Sequence, residues 1–159
     1  MAFPGFCRPM QAGEEAAVER LLHAAFDAPD EAGLVQALRR EGAIAGEMVL
    51  PMGEEIVGYY ALSSMRAPEG WLCLAPVAVA PEHQGKGLGR RMVGQLAQWA
   101  RMAGQTVVVL GYVPFSERCG FSAARAARLT SPYPVEHTLL AGPGEDAPEA
   151  VLRYPKAFG

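Results

Sequence analysis

Residues 74–91, LAPVAVAPEHQGKGLGRR, constrain this 159-residue chain more than any other stretch. An apolar run over residues 71–79 stops at Pro81, and glycines follow at 85, 87 and 89. Leu88, Met92, Leu96, Trp99 and Ala103 then recur at helical spacing. A strand therefore feeds a glycine-rich turn, and the turn feeds a helix. Such a turn aims the unpaired backbone N–H groups of a helix N-terminus at whatever lies above it. An anion is the natural occupant, and diphosphate is the commonest biological one. Lys86, Arg90 and Arg91 crowd the same turn. Cations there oppose the helix dipole at a cost of up to ~1 kcal/mol each, and a bound diphosphate reverses that sign.

Two familiar phosphate loops do not fit. A dinucleotide fingerprint, G-x-G-x-x-G, would need glycine where Arg90 stands. A Walker loop would need glycine at Ala80 and a hydroxyl residue at Gly87. What the residues spell from Gln84 to Gly89 is Q-x-x-G-x-G, preceded by Val77-Ala78-Val79-Ala80-Pro81 as V-x-V-x-P. This pair of motifs resembles the acyl-CoA diphosphate loop of the GNAT N-acetyltransferases and the strand that leads into it. A second stretch, residues 107–121, VVVLGYVPFSERCGF, is similar to a branch of that family carrying V-V-L-G-x-P-x-Y-Y-x-R-F-G-F. The close Tyr154-Pro155-Lys156-Ala157-Phe158 matches that branch's Y-P-x-A-F tail.

The order of elements agrees with that resemblance. Residues 3–9 read as a brief edge strand. Helices follow around Val18, Leu21, Leu22 and Phe26 and around Leu34, Ala37 and Leu38, the second ending at Gly42. Residues 48–52 and 56–64 form a hairpin over Gly53-Glu54, with Pro51 at an edge or bulge. Tyr59 and Tyr60 point to opposite faces, one toward the core and the other open to a cleft. Residues 71–79 hardly alternate and read as a strand buried on both faces, with a bulge or splayed pairing at Pro76. Residues 106–110 are a buried strand, residues 112–119 a short helix, and a last pair of strands is expected near 135–141 and 150–154. The reading is a single acetyltransferase-like domain over 1–159 of α/β class. Its mixed, mostly antiparallel sheet is flanked by helices and carries a V-shaped splay between the two middle strands.

Composition narrows the partners. A net charge of −3 offers no field for nucleic acid or an anionic membrane. No apolar run is long enough to span a bilayer, and the first residues lack the apolar core of a signal peptide. Cys7, Cys73 and Cys119 are odd in number and far apart, so they suggest neither a disulfide framework nor a metal cluster, and they suit a reducing cytoplasm.

The resemblance implies acetyl-CoA as cosubstrate, no metal, and an amine acceptor, small molecule or protein, taken directly in a ternary complex. It assigns cofactor contacts to Val77, Ala78 and Val79 on the strand and to Gln84, Gly85, Lys86, Gly87, Leu88, Gly89 and Arg90 in the loop. The acceptor would sit near residues 27–31, between the N-terminal helices and the sheet. A homodimer is left open. One departure stands out. Many relatives carry a tyrosine four residues before the Gly-Phe pair to protonate the departing thiolate, and here that position is Ser116. Ser116 and the neighbouring Tyr112 are the candidate catalytic residues. Residues 71–79 contain no ionisable group except Cys73, so no general base is evident among Glu54, Glu55, Glu69, His83 and Glu117. The missing tyrosine and missing strand carboxylate keep a second function class open, an acyl-CoA-binding sensor without turnover.

Overall fold

The computed structural model describes residues 5–159. A six-stranded sheet runs in the order β1 (Arg8–Pro9), β2 (Ile44–Met52), β3 (Glu55–Ser64), β4 (Leu72–Val79), β5 (Val107–Leu110) and β7 (Thr138–Ala141). Every neighbouring pair is antiparallel except β4 and β5, which are parallel. The helices are α1 (Glu15–Ala25), α2 (Asp30–Glu41), α3 (Leu88–Ala103) and α4 (Val113–Arg118). The expected α/β fold and mixed, mostly antiparallel sheet are present.

Two adjacent residues of β3 show how the layers form. Gly58 lies under α3, where a Cβ would come within 2.7 Å of Met92 Sδ. Its neighbour Tyr59 points to the other face by the two-residue period of a strand. There its hydroxyl donates to Glu47 Oε1 at 2.7 Å, and Arg39 of α2 clasps the same carboxylate at 2.7 Å. Helices α2 and α3 therefore cover opposite faces. Burial pushes the Tyr59 phenol far above its ordinary value, and its bond to Glu47 adds to the shift, so it acts as a hydrogen donor at every accessible pH. Glu47→Ala leaves both the phenol and the guanidinium short of an acceptor in a largely dry place. We expect it to cost about 1–3 kcal/mol, seen as a lower urea midpoint at unchanged slope. A midpoint equal to wild type would make the cluster energetically idle.

Several elements differ from the sequence reading. On α2 the buried residues are Ala32, Val35 and Leu38, while Leu34 and Ala37 are half-buried, so the face is rotated. On α3, Trp99 is 44% exposed and Ala103 is exposed, while Val93, Ala97 and Ala100 complete the buried stripe. Trp99 stands at the edge of that stripe, over an open groove that it lines with Tyr60, Leu62 and Leu72. Tyr59 is enclosed in the core, and Tyr60, also buried, lines a groove with Leu62, Leu72, Leu96 and Trp99, so here the expectation of one core and one cleft tyrosine holds. Residues 150–154 do not pair with the strand before them. Instead β8 (Ala150–Val151) runs parallel to β6 (Leu129–Thr130) in a separate two-stranded sheet, while β7 joins β5. Residues 135–137 form a 3₁₀ turn rather than strand. The first strand is only Arg8–Pro9, and Phe3 and Pro4 lie outside the described residues. Pro51 does sit at a register shift of β2.

A second apolar cluster, with Cys73, Val108, Leu140, Leu152 and Tyr154, packs around β5 and β7. The chain end is fastened across it. Glu41, at the end of α2, accepts from the N–H groups of Lys156 and Ala157 at 2.8 and 2.9 Å.

Candidate active site

The site begins where the central strands part. β4 and β5 pair only at Leu72–Val107 and Cys73–Val108. β4 continues to Val79 without a neighbour on that side, which is the expected V-shaped opening. The parting has a local cause at Pro76. Tyr60 faces Val77 while Leu62 faces Leu74, so β4 bulges over Ala75 and Pro76. Proline brings no N–H to a ladder. Beyond the bulge the register fixes which backbone groups face the gap. Ala80 donates to the Val57 carbonyl at 2.8 Å. In an antiparallel ladder the bonded residues alternate, so Ala78 also faces β3 and Val77 and Val79 face the opening. The side chains of Val77 and Val79 are half-buried rather than enclosed, since no strand continues beside them.

The loop closes the wide end of the gap. A 3₁₀ turn at Pro81–His83 follows β4, and Gln84 folds back to donate through Nε2 to the Val79 carbonyl at 2.9 Å. Gly85 and Gly87 take left-handed φ of +78° and +80°, a region that side chains resist. Gly87 is the N-cap of α3, with no side-chain cap. Among the described residues, no N–H from Gly85 to Arg90 has an acceptor within the chain. The first helical bond at this end runs from Arg91 N–H to the Gly87 carbonyl at 3.0 Å. Lys86 and Arg90 are exposed, and among the described residues neither pairs with a carboxylate within 4.0 Å. Arg91 is spent elsewhere. Its Nη2 donates to the Gly5 carbonyl at 2.7 Å, and the guanidinium stands 5.8 Å from the centre of the Phe6 ring. Leu88 is buried and anchors the helix start, and Gly89 faces Val79 and Phe115, where a Cβ would lie 3.7 and 3.8 Å from their nearest atoms.

Helix α4 brackets the loop from the β5 side, through Phe115. Ser116, one residue on, is buried at 4% exposure. Its Oγ lies 3.5 Å from where a Cβ on Gly111 would sit, at the end of β5. Tyr112, the N-cap of α4, is 71% exposed. The structure thus brings Ser116, and not Tyr112, to the inner side of α4. Glu54, Glu55, Glu69 and Glu117 are all exposed, and β4 carries no ionisable side chain except Cys73. Burial pushes that thiol up to about 12, so it takes no part in proton exchange. Burial also raises the Cys119 thiol, against the opposing pull of Arg90 and Arg118, which disfavours a thiolate nucleophile there. Sequence reasoning missed the Arg39–Glu47–Tyr59 cluster, for which nothing in local spacing offers a signal.

Comparison with known proteins agrees with this geometry. Residues 10–121 match the profile described as the Acetyltransferase (GNAT) family. The chain is 30% identical over 122 residues to the uncharacterized N-acetyltransferase YhbS of Escherichia coli, covering 74% of this chain and 73% of that protein. It superimposes on the crystal structure of the Escherichia coli protein YhbS in complex with CoA with a TM-score of 0.85 at 26% identity, over 96% of this chain and 91% of the other. A GNAT family acetyltransferase from Brucella melitensis, in complex with acetyl-CoA, gives a TM-score of 0.80 at 26% identity over 99% of both chains. Strand, splay, loop and helix in this order, together with these matches, identify the chain as a member of the GNAT acetyltransferase family.

Proposed function

We propose that this protein is an N-acetyltransferase that moves the acetyl group of acetyl-CoA directly onto an amine. The observation that carries the reading is the run of unmet N–H groups at Gly85–Arg90, beside a β4 edge whose Val77 and Val79 backbone faces an open gap. The loop amides, with Lys86 and Arg90, suit a diphosphate. The gap suits an extended amide-bearing arm. The relatives bound to CoA and acetyl-CoA support the same donor. In the reaction, the amine lone pair attacks the thioester carbonyl carbon while the Val77 N–H polarises its oxygen. The tetrahedral intermediate collapses with cleavage of the C–S bond. The amine's proton passes to water, as β4 offers no base. Ser116 donates a hydrogen bond to the departing thiolate and keeps its own proton. Most of the rate then comes from holding amine and thioester together. The chemistry calls for no metal, and the acetyl-CoA of the cytoplasm would supply the donor.

Ser116 in the place of a phenol, together with a β4 free of carboxylates, favours a second reading, an acyl-CoA-binding sensor. Two measurements test these readings. Acetyl-CoA at a hundred times its dissociation constant should stabilise the fold by about 2.7 kcal/mol. CoA should act nearly as strongly, and NAD and ATP should not act at all. A melting curve moved by NAD and not by CoA overturns both readings. Thiol release from acetyl-CoA across a panel of amines then separates them, since a sensor releases none.

A further inference from the structure

Directly before the phosphate-facing loop, three metal-ligating side chains converge from two elements. The β3–β4 ladder sets Gly58 against Val79, and Ala80 still donates to Val57. Beyond Ala80 the chain leaves the ladder for the 3₁₀ turn Pro81–His83, which brings Glu82 close to Glu55 at the start of β3. The 3₁₀ turn then adds His83, and the ligand atoms of all three lie within 4.8 Å of one another. Two carboxylates held this close repel each other when both are ionised. Among the described residues neither carboxylate has a cationic partner within 4.0 Å, although Arg20 of α1 lines the same groove, of about 680 Å³. His83 is half-buried. Its Nδ1 is buried and meets no hydrogen-bond partner among the described residues. A buried polar nitrogen left unmet is costly.

We propose that Glu55, Glu82 and His83 bind a first-row divalent cation, zinc being the best suited. Two carboxylate oxygens and one imidazole nitrogen match the donors zinc accepts, with a fourth position left to water. The cation would neutralise the facing carboxylates and tie the β2–β3 turn to the segment that leads into Gln84. It has no part in acyl transfer, so the assignment stands apart from the acetyltransferase reading and fails or survives independently of it.

Zinc titrated calorimetrically into the purified full chain should bind with a stoichiometry of about one. His83→Ala and Glu82→Gln should each weaken binding by at least about tenfold, with melting curves confirming that both variants are folded. Cys7→Ser, which removes a half-buried thiol elsewhere, should leave binding unchanged. Calcium should bind far more weakly than zinc, because it does not favour imidazole. No zinc binding at millimolar concentration overturns the proposal. So does binding that survives both ligand substitutions, or that is lost in Cys7→Ser. Calcium binding equal to zinc binding overturns it as well.

Discussion

Gly87→Val is expected to weaken CoA binding by at least about tenfold, or ~1.4 kcal/mol, while the protein stays folded. Gly87 caps α3 at φ +80°, and among the described residues nothing beyond its chain neighbours lies within 4 Å of where its Cβ would be. Gly87 is exposed, so the added side chain leaves the core untouched. Two effects then act on the loop alone. A β-branched residue resists the left-handed region, so the amides of residues 85–90 shift from their present aim. The valine methyls also occupy the space above the helix start, where the proposal places the diphosphate. Calorimetry with CoA reads the first-order outcome, and a melting curve without ligand shows that the fold survives. Equal affinity in a folded variant would make this loop a structural turn only. It would also remove the observation on which the functional proposal rests.

Ser116→Ala should lower kcat by about tenfold to a thousandfold while leaving CoA affinity nearly unchanged. The hydroxyl is the polar group that α4 turns inward at the end of β5, and removing it deletes one donor without opening space for the chain to collapse into. Positioning of amine and thioester is retained, which bounds the loss. Measuring kcat and the CoA dissociation constant together distinguishes loss of a transition-state contact from loss of binding. Ser116→Tyr sharpens the comparison. It restores the phenol found in many relatives, and it raises kcat if the ring reaches the sulfur or weakens CoA if it fills the gap. Wild-type turnover in Ser116→Ala would free Ser116 from the chemistry. Because Tyr112 is largely in solvent, the thiolate would then take its proton from water, and Tyr112→Phe, with unchanged kcat, would support that route.

The chain's features divide by the range of the forces that set them. Local chemistry was legible. Alternating glycines after an apolar run announced a turn that only glycine tolerates, and Gly85 and Gly87 do take positive φ. Gly42 ends α2 in the left-handed region. Pro76 marked the bulge in β4, because a residue without an N–H disrupts the ladder wherever it falls. The fold class also came from the residues, since element order and a family's motifs are both written along the chain. Properties set by what lies across the sheet were not legible. Tyr59 and Tyr60 alternate as expected, one in the core and one lining a groove, but which took which place was decided by α2 and α3 covering opposite faces. Trp99 keeps the helical period of α3 and is still exposed, because it stands over an open groove, and the period says which residues share a face but not what fills the space beneath them. The last strands looked like a hairpin, yet β7 seeks β5 and β8 seeks β6, since strand pairing is decided by buried area between distant segments and not by the turn that separates neighbours. The direction of Ser116 and the meeting of Glu55 with Glu82 and His83 belong to this second kind. Sequence alone determined where a glycine-rich turn feeds a helix and which family the chain belongs to. Only the tertiary structure decided which side chains stand beside that loop, because contacts between residues far apart in the chain exist only once the sheet has assembled.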